Sequence, residues 1–261
     1  MQRCYTIKKK RKIGNTLSKY RRGVSNMNMR TGEEEILQNS VLSITNNIEK
    51  TNKMKQTIYS IMKRIIDVSA SIIGIIMLLP ITLIIGVANI CVKDKGPIFF
   101  VQERIGKNGK LFKLYKYRSM VVNADDKLSK YLAENEEARE EYRKYKKLRN
   151  DPRITVIGKI IRKTSIDEFP QFINVLKGEM SLVGPRPYLP REIKDMKEGY
   201  NEIIKVKPGL TGLWQVNGRS ETTFQDRIII DTDYVKRKSM ILDTKIFIRT
   251  FLKVFGKEGA K

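Results

Sequence analysis

Asp167 and Glu168 are the two side chains of this sequence best suited to chemistry, because they are adjacent carboxylates followed closely by Pro170. Proline has no N–H and fits only the first turn of a helix, so the pattern predicts a helix with Asp167 as its N-cap. The positive end of a helix keeps a carboxylate ionised and also attracts phosphates. Capping alone would account for Asp167. The same arrangement also suits a metal-assisted attack on phosphorus, in which one carboxylate attacks and the other helps to hold Mg²⁺.

Three arginines, Arg162, Arg186 and Arg219, stand in the same half of the chain as the carboxylates. A guanidinium group can hold two phosphate oxygens at once, so these residues are candidates for clamping a diphosphate. In so basic a chain, each of them alone is better explained as a surface charge. The only tryptophan, Trp214, lies in a run over 207–219 whose glycines are explained by turns alone.

The composition excludes several kinds of site. The 261 residues include no histidine and only two cysteines, Cys4 and Cys91. This rules out nucleophiles activated by histidine, histidine-ligated zinc or iron, and a disulfide framework. The sequence also lacks the Walker and G-x-G-x-x-G nucleotide-binding loops. With 52 Lys and Arg against 28 Asp and Glu, the net charge is +24, so we expect a polyanionic partner: nucleic acid, an acidic membrane surface or a phosphorylated substrate.

The elements that must position the carboxylates are predicted from apolar periodicity and turn residues. Aromatic and branched residues over Gly96–Arg118, interrupted by glycines, indicate two strands and a turn. Residues 125–153 are rich in charges of both signs and are typical of a solvated helix without chemistry. Apolar periodicity over Pro170–Leu176 and Ile241–Val254 predicts two helices that pack the body. The expected fold class is α+β, mostly helical, with a compact catalytic domain over 96–261.

An uncharged apolar run over Val68–Val92 would measure roughly 37 Å as a straight helix, against ~30 Å for the hydrocarbon core of a bilayer. Hydropathy alone predicts a single crossing. However, Pro80 in the middle of the run removes a backbone hydrogen bond, and the chain is basic on both sides, with Lys63 and Arg64 before the run. Since positive flanks favour the cytoplasm, we favour a re-entrant helix over 61–95 that bends at Pro80 and returns to the same face.

Residues 1–60 form a basic segment with a cluster of cations over Lys8–Lys12 and little periodic apolar content. This composition predicts a largely flexible N-terminal arm. A nucleic-acid-binding tail is the competing interpretation of such a charge run.

Short motifs from Lys63 to about Thr250 resemble, in order, those of the bacterial sugar transferases that prime polysaccharide synthesis, the monotopic polyprenyl-phosphate phosphoglycosyl transferases. The matching segments lie around the apolar run, the predicted strands, the carboxylate pair and the tryptophan. They are Lys63–Asp67, Gly96–Phe100, Gln102–Gly106, Phe112–Met120, Asp151–Thr155, Arg162–Gln171, Asn174–Pro187 and Pro208–Arg219. The chain departs from the pattern at Leu79, where some members carry serine before the proline.

This resemblance implies transfer of a sugar phosphate from a UDP-sugar donor to a polyprenyl phosphate acceptor. It implies that Asp167 is the nucleophile, which forms a phosphosugar ester with the enzyme, and that Asp167 and Glu168 hold Mg²⁺. The other residues at matching positions are implied to bind substrate: Lys116 near the lipid phosphate, Arg162, Arg186 and Arg219 at the phosphates or the nucleotide, and Arg118 and Gln215 elsewhere among the substrate contacts.

The resemblance also implies a monotopic protein of the inner cell membrane with its catalytic domain in the cytoplasm. Anionic lipid and downstream glycosyltransferases are then the further partners, and no nucleic acid is expected. Two alternatives stay open. A membrane-tethered nucleic-acid-binding protein would explain the charge but not the carboxylate pair or the apolar run. A catalytically inactive membrane scaffold would keep the fold and show no turnover.

Overall fold

The computed structural model describes residues 31–91, 96–218 and 222–255, and within them the fold is mostly helical with two small two-stranded sheets. The predicted α+β class is therefore confirmed. The chain divides into two units, Met1–Ile58 and Tyr59–Lys261. In chain order the elements are α1 Thr31–Cys91, β1 Phe99–Ile105, β2 Leu111–Tyr117, α2 Ala124–Glu134, α3 Glu136–Tyr145, α4 Val156–Lys163, α5 Gln171–Lys177, β3 Ser181–Val183, α6 Ile193–Met196, α7 Gly199–Ile203, β4 Gly209–Thr211, α8 Leu213–Gly218, α9 Phe224–Arg237 and α10 Met240–Phe255.

The first helix, α1, is much longer than the apolar run that it contains. Residues 31–60, expected to be part of a flexible arm, are helical, whereas residues 1–30 of that arm lie outside the described residues. No glycine or proline occurs between Glu33 and Ile73, so nothing in this stretch interrupts a helix. The helix continues through Pro80. By length and composition it is the one helix among the described residues that could cross a membrane.

In the second unit, polar contacts fix α1 to the body of the protein. The Lys63 ammonium and the Tyr59 hydroxyl both donate to one carboxylate oxygen of Asp243, at 2.6 and 2.8 Å. Four residues after Lys63, the buried Asp67 carboxylate accepts hydrogen bonds from the Ser181 hydroxyl and the Leu182 N–H, at 3.0 and 2.9 Å. These charged groups are satisfied by specific partners, which sets the register between α1 and the strand β3.

Apolar contacts continue along α1 on both sides of Pro80. Leu78 packs against a buried cluster of Ile85, Tyr117 and Ile161. The Thr82 and Tyr117 hydroxyl oxygens are 2.6 Å apart. Because Tyr117 is the last residue of β2, the apolar helix and the strand hairpin are packed directly on each other.

The predicted strand pair is confirmed. β1 and β2 pair antiparallel, with Gln102 opposite Leu114, and a short 3₁₀ turn over Lys107–Gly109 connects them. A second pair, β3 with β4, is parallel, with Ser181 opposite Gly209. Turns do not fully explain the glycines of the 207–219 run, because a Cβ on Gly209 would lie 2.1 Å from the backbone nitrogen of Gly184. Only glycine permits this close approach of two backbones.

The charged segment 125–153 contains two helices instead of the single one predicted. α2 ends at Glu134, and Asn135 caps α3 by accepting a hydrogen bond from the Ala138 N–H at 2.9 Å. Asparagine competes for backbone groups in this way, which favours a helix boundary. The two helices share a small core of Leu128, Ala138 and Leu148. The other two predicted helices are confirmed as α5 and α10.

Candidate active site

Asp167 and Glu168 lie in a separate 3₁₀ turn over Ile166–Glu168, which precedes α5. Ser165, in the left-handed region with φ 57°, reverses the chain before this turn, and Pro170 occupies the N-cap of α5. The prediction that Asp167 is the N-cap of the helix is therefore wrong. The sequence pattern was compatible with a helix start, but a residue with positive φ at Ser165 cannot be inferred from a serine.

Burial dominates the electrostatics of Asp167, which is 8% exposed. Burial, together with the neighbouring negative charge of Glu168, raises the pKa of Asp167 to about 6, while the cations Lys116 and Arg162 act in the opposite direction. Asp167 is thus a poorly hydrated carboxylate beside the partly exposed Glu168, and Lys116 and Arg162 are the neighbouring cations. Such a group can attack an electrophile or share a bound cation.

Lys116 connects this centre to the strand hairpin. Its ammonium group lies 2.8 Å from a carboxylate oxygen of Glu168, and both side chains are partly exposed. The next residue, Tyr117, is buried against α1. The structure therefore brings Lys116, predicted to lie near a lipid phosphate, to the carboxylates.

Arg162 is held beside the carboxylates by a contact with Ser119. Its Nε donates to the Ser119 hydroxyl oxygen at 2.8 Å, and the charge of Asp167 is within its electrostatic reach. Arg162 lies in the last turn of α4, and Thr155 caps the start of this helix by accepting a hydrogen bond from the Gly158 N–H at 2.9 Å. The Thr155 N–H in turn donates to the Ser119 carbonyl oxygen at 3.1 Å.

We expect Gly158→Ala to reduce both stability and turnover. A Cβ at this position would lie 2.0 Å from the Ser119 carbonyl oxygen, so the backbone on one side has to move. Overpacking of this kind costs about 1–3 kcal/mol, and the movement would displace the serine that holds Arg162. Thermal unfolding and initial rates measure the two effects. Gly199→Ala, whose Cβ would meet side chains and no backbone, with Ile228 at 2.2 Å and Thr232 at 3.4 Å, should affect turnover less. Equal loss of turnover in both variants would contradict this role of Gly158.

The remaining predicted residues are distributed around this centre. Arg118 is buried, and its guanidinium donates to the carbonyl oxygens of Pro97 and Met120 at 2.6 and 3.0 Å. Gln215 donates weakly to the Leu210 carbonyl oxygen at 3.5 Å. Arg186 lies against the ring of Trp214, at 5.8 Å from its centre. Arg219 falls outside the described residues. These hydrogen bonds of Arg118 and Gln215 go to backbone carbonyl groups, and the predicted binding of substrate by both residues stays a prediction.

Sequence reasoning did not single out Ser119 or Arg104 as functional residues. Ser119 contacts Arg162, and Arg104 lies within electrostatic reach of both Glu168 and Arg186. Both residues lie inside motifs that carried the family resemblance, which is the one signal that could have identified them. Their contacts join segments far apart in the sequence, and no local pattern encodes such contacts.

The chain matches known proteins over most of its length. The family model described as "Bacterial sugar transferase" matches residues 58–257. The chain is 40% identical over 220 residues to the undecaprenyl-phosphate galactose phosphotransferase of Salmonella typhimurium, covering 84% of this chain and 44% of that protein. It is also 40% identical over 200 residues to the exopolysaccharide production protein ExoY of Sinorhizobium fredii, covering 77% of this chain and 88% of that protein.

A third relative is the UDP-glucose:undecaprenyl-phosphate glucose-1-phosphate transferase of Escherichia coli, 36% identical over 77% of this chain and 41% of that protein. The chain spans a little under half the length of several relatives that it matches. The matched region includes the whole second unit except its last four residues, and with it the carboxylate turn, both sheets and the apolar part of α1. The chain belongs to the bacterial sugar transferase family.

Proposed function

We propose that this chain transfers a sugar 1-phosphate from a UDP-sugar to a polyprenyl phosphate, and so begins the synthesis of a polysaccharide or glycoconjugate. The observation that carries the proposal is the buried Asp167, set next to Glu168 and between the cations Lys116 and Arg162. Relatives named as undecaprenyl-phosphate galactose and glucose phosphotransferases support the choice of donor and acceptor.

The reaction proceeds in two displacements at phosphorus. A carboxylate oxygen of Asp167 attacks the phosphorus that carries the sugar, the bond to the nucleoside-side phosphate breaks, and a nucleoside monophosphate leaves with that electron pair. An oxygen of the polyprenyl phosphate then attacks the same phosphorus, and the bond to Asp167 breaks. The products are a lipid-linked diphosphosugar and the free carboxylate. Lys116 and Arg162 offset the negative charge that accumulates during each displacement. Downstream glycosyltransferases would consume the lipid-linked product.

Asp167 and Glu168 also fit a bound Mg²⁺. This ion is usually held by one or two carboxylates together with phosphate oxygens of the substrate, so a third protein ligand is not needed. The described residues contain no group of three acidic, cysteine or histidine side chains that could hold a metal alone. The mutual repulsion of the two carboxylates, which contributes to the raised pKa of Asp167, favours a shared cation. When bound, Mg²⁺ would polarise the diphosphate and neutralise its charge.

The order of product release tests this function. Because one carboxylate serves both displacements, the nucleoside monophosphate should be released before the lipid acceptor binds, which gives parallel lines in double-reciprocal plots of the initial rate. The assay measures uridine monophosphate from a panel of UDP-sugars, with polyprenyl phosphate and Mg²⁺ in detergent, and EDTA should stop it. Intersecting lines, which indicate a ternary complex, would contradict the covalent route. The same preparation tests the two alternative functions. DNA binding without turnover would favour the nucleic-acid-binding protein, and donor binding without turnover would favour the inactive scaffold.

We propose further that α1 enters the membrane from the cytoplasmic side and returns to it, so that the protein is monotopic. Residues on both sides of Pro80 contact the body, since Leu78 and Ile85 belong to one apolar cluster with Tyr117. A helix that crossed the bilayer after Pro80 would carry Ile85 away from these partners. The positive charge on both flanks of the run and the attraction of cations to anionic lipid support the same arrangement.

We expect cysteines placed at Thr51 and Gly109 to be shielded from an impermeant thiol reagent in intact cells. Cys4 and Cys91 would first be replaced by serine, so that only the introduced thiol reacts. Pro80→Leu should favour a straight crossing helix and expose the Thr51 site, because it restores the missing backbone donor. If the Thr51 site is labelled from outside while Pro80 is present, the re-entrant topology is wrong.

A further inference from the structure

The guanidinium of Arg162 is anchored at one end only. Its Nε donates to the Ser119 hydroxyl oxygen at 2.8 Å, and the residue as a whole is exposed. In the part of the chain that the structure describes, the two terminal nitrogens of Arg162 make no hydrogen bond or ion pair. These nitrogens carry four of the five N–H donors of a guanidinium. Arg162 therefore keeps free the part of its side chain that can bind two anionic oxygens at once.

Two buried carboxylates lie within electrostatic reach of Arg162. One is Asp167 of the carboxylate turn, and the other is Asp151, which precedes α4. A guanidinium and a carboxylate readily form a pair with two parallel hydrogen bonds. If Asp151 formed such a pair with Arg162, the cation would be withdrawn from Asp167 and from the phosphates of the donor. The position of Arg162 therefore depends on what occupies Asp151.

Arg153 occupies both oxygens of Asp151. Its Nε and one terminal nitrogen donate to the two oxygens at 2.8 and 2.7 Å, and its backbone N–H adds a third hydrogen bond at 3.0 Å. Burial alone would raise the pKa of Asp151, but the hydrogen bonds from Arg153 hold it below its usual value. Asp151 is thus an ionised carboxylate that could attract a second guanidinium, and Arg153 is the partner that it has.

Backbone hydrogen bonds join the segment that carries Ser119 to the segment that carries Arg153. The Val121 N–H donates to the Arg153 carbonyl oxygen at 2.8 Å, and the Thr155 N–H donates to the Ser119 carbonyl oxygen at 3.1 Å. Because the two segments are paired in this way, Ser119 and Arg153 are held in a fixed relative position. The anchor of the one guanidinium and the partner of the competing carboxylate thus form one unit.

We propose that Ser119 and Arg153 are positioning residues that keep Arg162 at the reacting phosphates. Ser119 holds its Nε, and Arg153 prevents Asp151 from pairing with its terminal nitrogens, which stay available to the donor. The inference rests on the proposed function and deepens it, because it names the residues through which Arg162 acts. Ser119 and Arg153 are each 7% exposed, and buried polar groups with partners also stabilise a fold. The experiments therefore have to separate the placement of Arg162 from folding.

A single-turnover assay separates these two effects. The full-length protein in detergent is mixed with a UDP-sugar and Mg²⁺ without lipid acceptor, and the release of uridine monophosphate is followed. In the proposed mechanism each active molecule releases one nucleotide, so the amplitude counts folded active sites and the rate constant reports the first displacement. Loss of folding lowers the amplitude, whereas loss of positioning lowers the rate constant. If the unaltered protein releases no nucleotide from any UDP-sugar, the proposed function itself is overturned, and this inference with it.

Arg153→Gln should lower the rate constant by ~10–100-fold, because it frees Asp151 to pair with Arg162. Adding Asp151→Asn removes the competing charge and should restore the rate constant to within about threefold of the unaltered protein. Arg143→Gln is the matched control, since Arg143 is an exposed arginine paired with Glu140 on α3, and it should change the rate constant by less than about twofold. If the double substitution is as slow as Arg153→Gln, or if Arg153→Gln lowers the amplitude alone, the role of Arg153 is wrong.

The same assay tests Ser119. Ser119→Ala should lower the rate constant by ~10-fold, and Ser119→Thr, which keeps the hydroxyl group, by less than about threefold. If Ser119 acts through Arg162, adding Ser119→Ala to Arg162→Gln should lower the rate constant by less than about twofold further. A single turnover can be followed for hours, so this slower background still gives a rate constant. A further tenfold loss in the Arg162→Gln background, or an unchanged rate constant in Ser119→Ala alone, would show that Ser119 does not position Arg162.

Discussion

Asp167→Asn is expected to abolish turnover, by roughly 10⁴-fold or more, and to leave the protein folded. The substitution removes the oxygen that attacks phosphorus, and no other carboxylate of the described site is as buried. Burial raises the pKa of Asp167 to about 6, which is higher than the value in an unfolded chain. The stability of the folded protein therefore falls as the pH rises between these two values, and the ionised group has its full destabilising effect above pH 6. A neutral amide should therefore leave the folded protein at least as stable at pH 8.

The measurement combines release of uridine monophosphate with thermal unfolding in the same detergent. Asp126→Asn, which removes an exposed carboxylate in the first turn of α2, is the matched control and should keep nearly full activity. Mass spectrometry of the unaltered protein after incubation with donor alone should find the phosphosugar on the peptide that contains Asp167. An Asp167→Asn protein with most of its activity would exclude the proposed nucleophile.

Asp243→Ala should cause a large loss of stability in the second unit. This carboxylate is buried and accepts hydrogen bonds from Lys63, Tyr59 and Tyr234, the last at 2.7 Å. Removing it leaves the ammonium group of Lys63 without its partner, and breaking a buried ion pair in this way costs about 3–5 kcal/mol. For a unit of this size we expect the midpoint of thermal unfolding to fall by roughly 10 °C.

A double substitution distinguishes the charge effect from simple loss of packing. Lys63→Met combined with Asp243→Ala removes both charges and should recover part of the loss. Glu202→Gln is the control, because the ion pair between Glu202 of α7 and Lys205, just beyond the end of that helix, is exposed and contributes little. If Asp243→Ala unfolds at the same temperature as Glu202→Gln, the contact between α1 and α10 does not stabilise the body.

Local sequence patterns predicted the elements that are encoded locally. Aromatic and branched residues flanked by glycines identified the β1–β2 hairpin, and apolar periodicity identified α5 and α10. The same reasoning missed the parallel pair of β3 and β4, because each strand has three residues and their pairing joins positions 28 apart in the chain. It also missed the helical part of residues 31–60, where composition resembles that of flexible segments although no helix-breaking residue is present.

The candidate site, like the fold, was predicted only in part from the sequence. The adjacent carboxylates and Arg162 were visible in the sequence, and the family resemblance added Lys116; the structure brings all four residues together. The N-cap prediction for Asp167 failed because a separate 3₁₀ turn over Ile166–Glu168, preceded by a left-handed Ser165, comes before α5. Contacts such as those of Arg104 and Trp214 arise from tertiary packing and have no periodic or motif signature of their own.

The contacts along α1 connect the catalytic turn to the physical state of the lipid. On α1, Asp67 and Ile85 lie on opposite sides of Pro80, and both are fixed to the body of the protein. With this segment embedded in a bilayer, a change of acyl-chain length cannot be absorbed by the helix alone, because tilting it would also tilt β2 and Lys116. Turnover in vesicles should therefore pass through an optimum as the acyl-chain length of the lipid varies. Membrane thickness would then regulate the first step of the proposed polysaccharide or glycoconjugate synthesis.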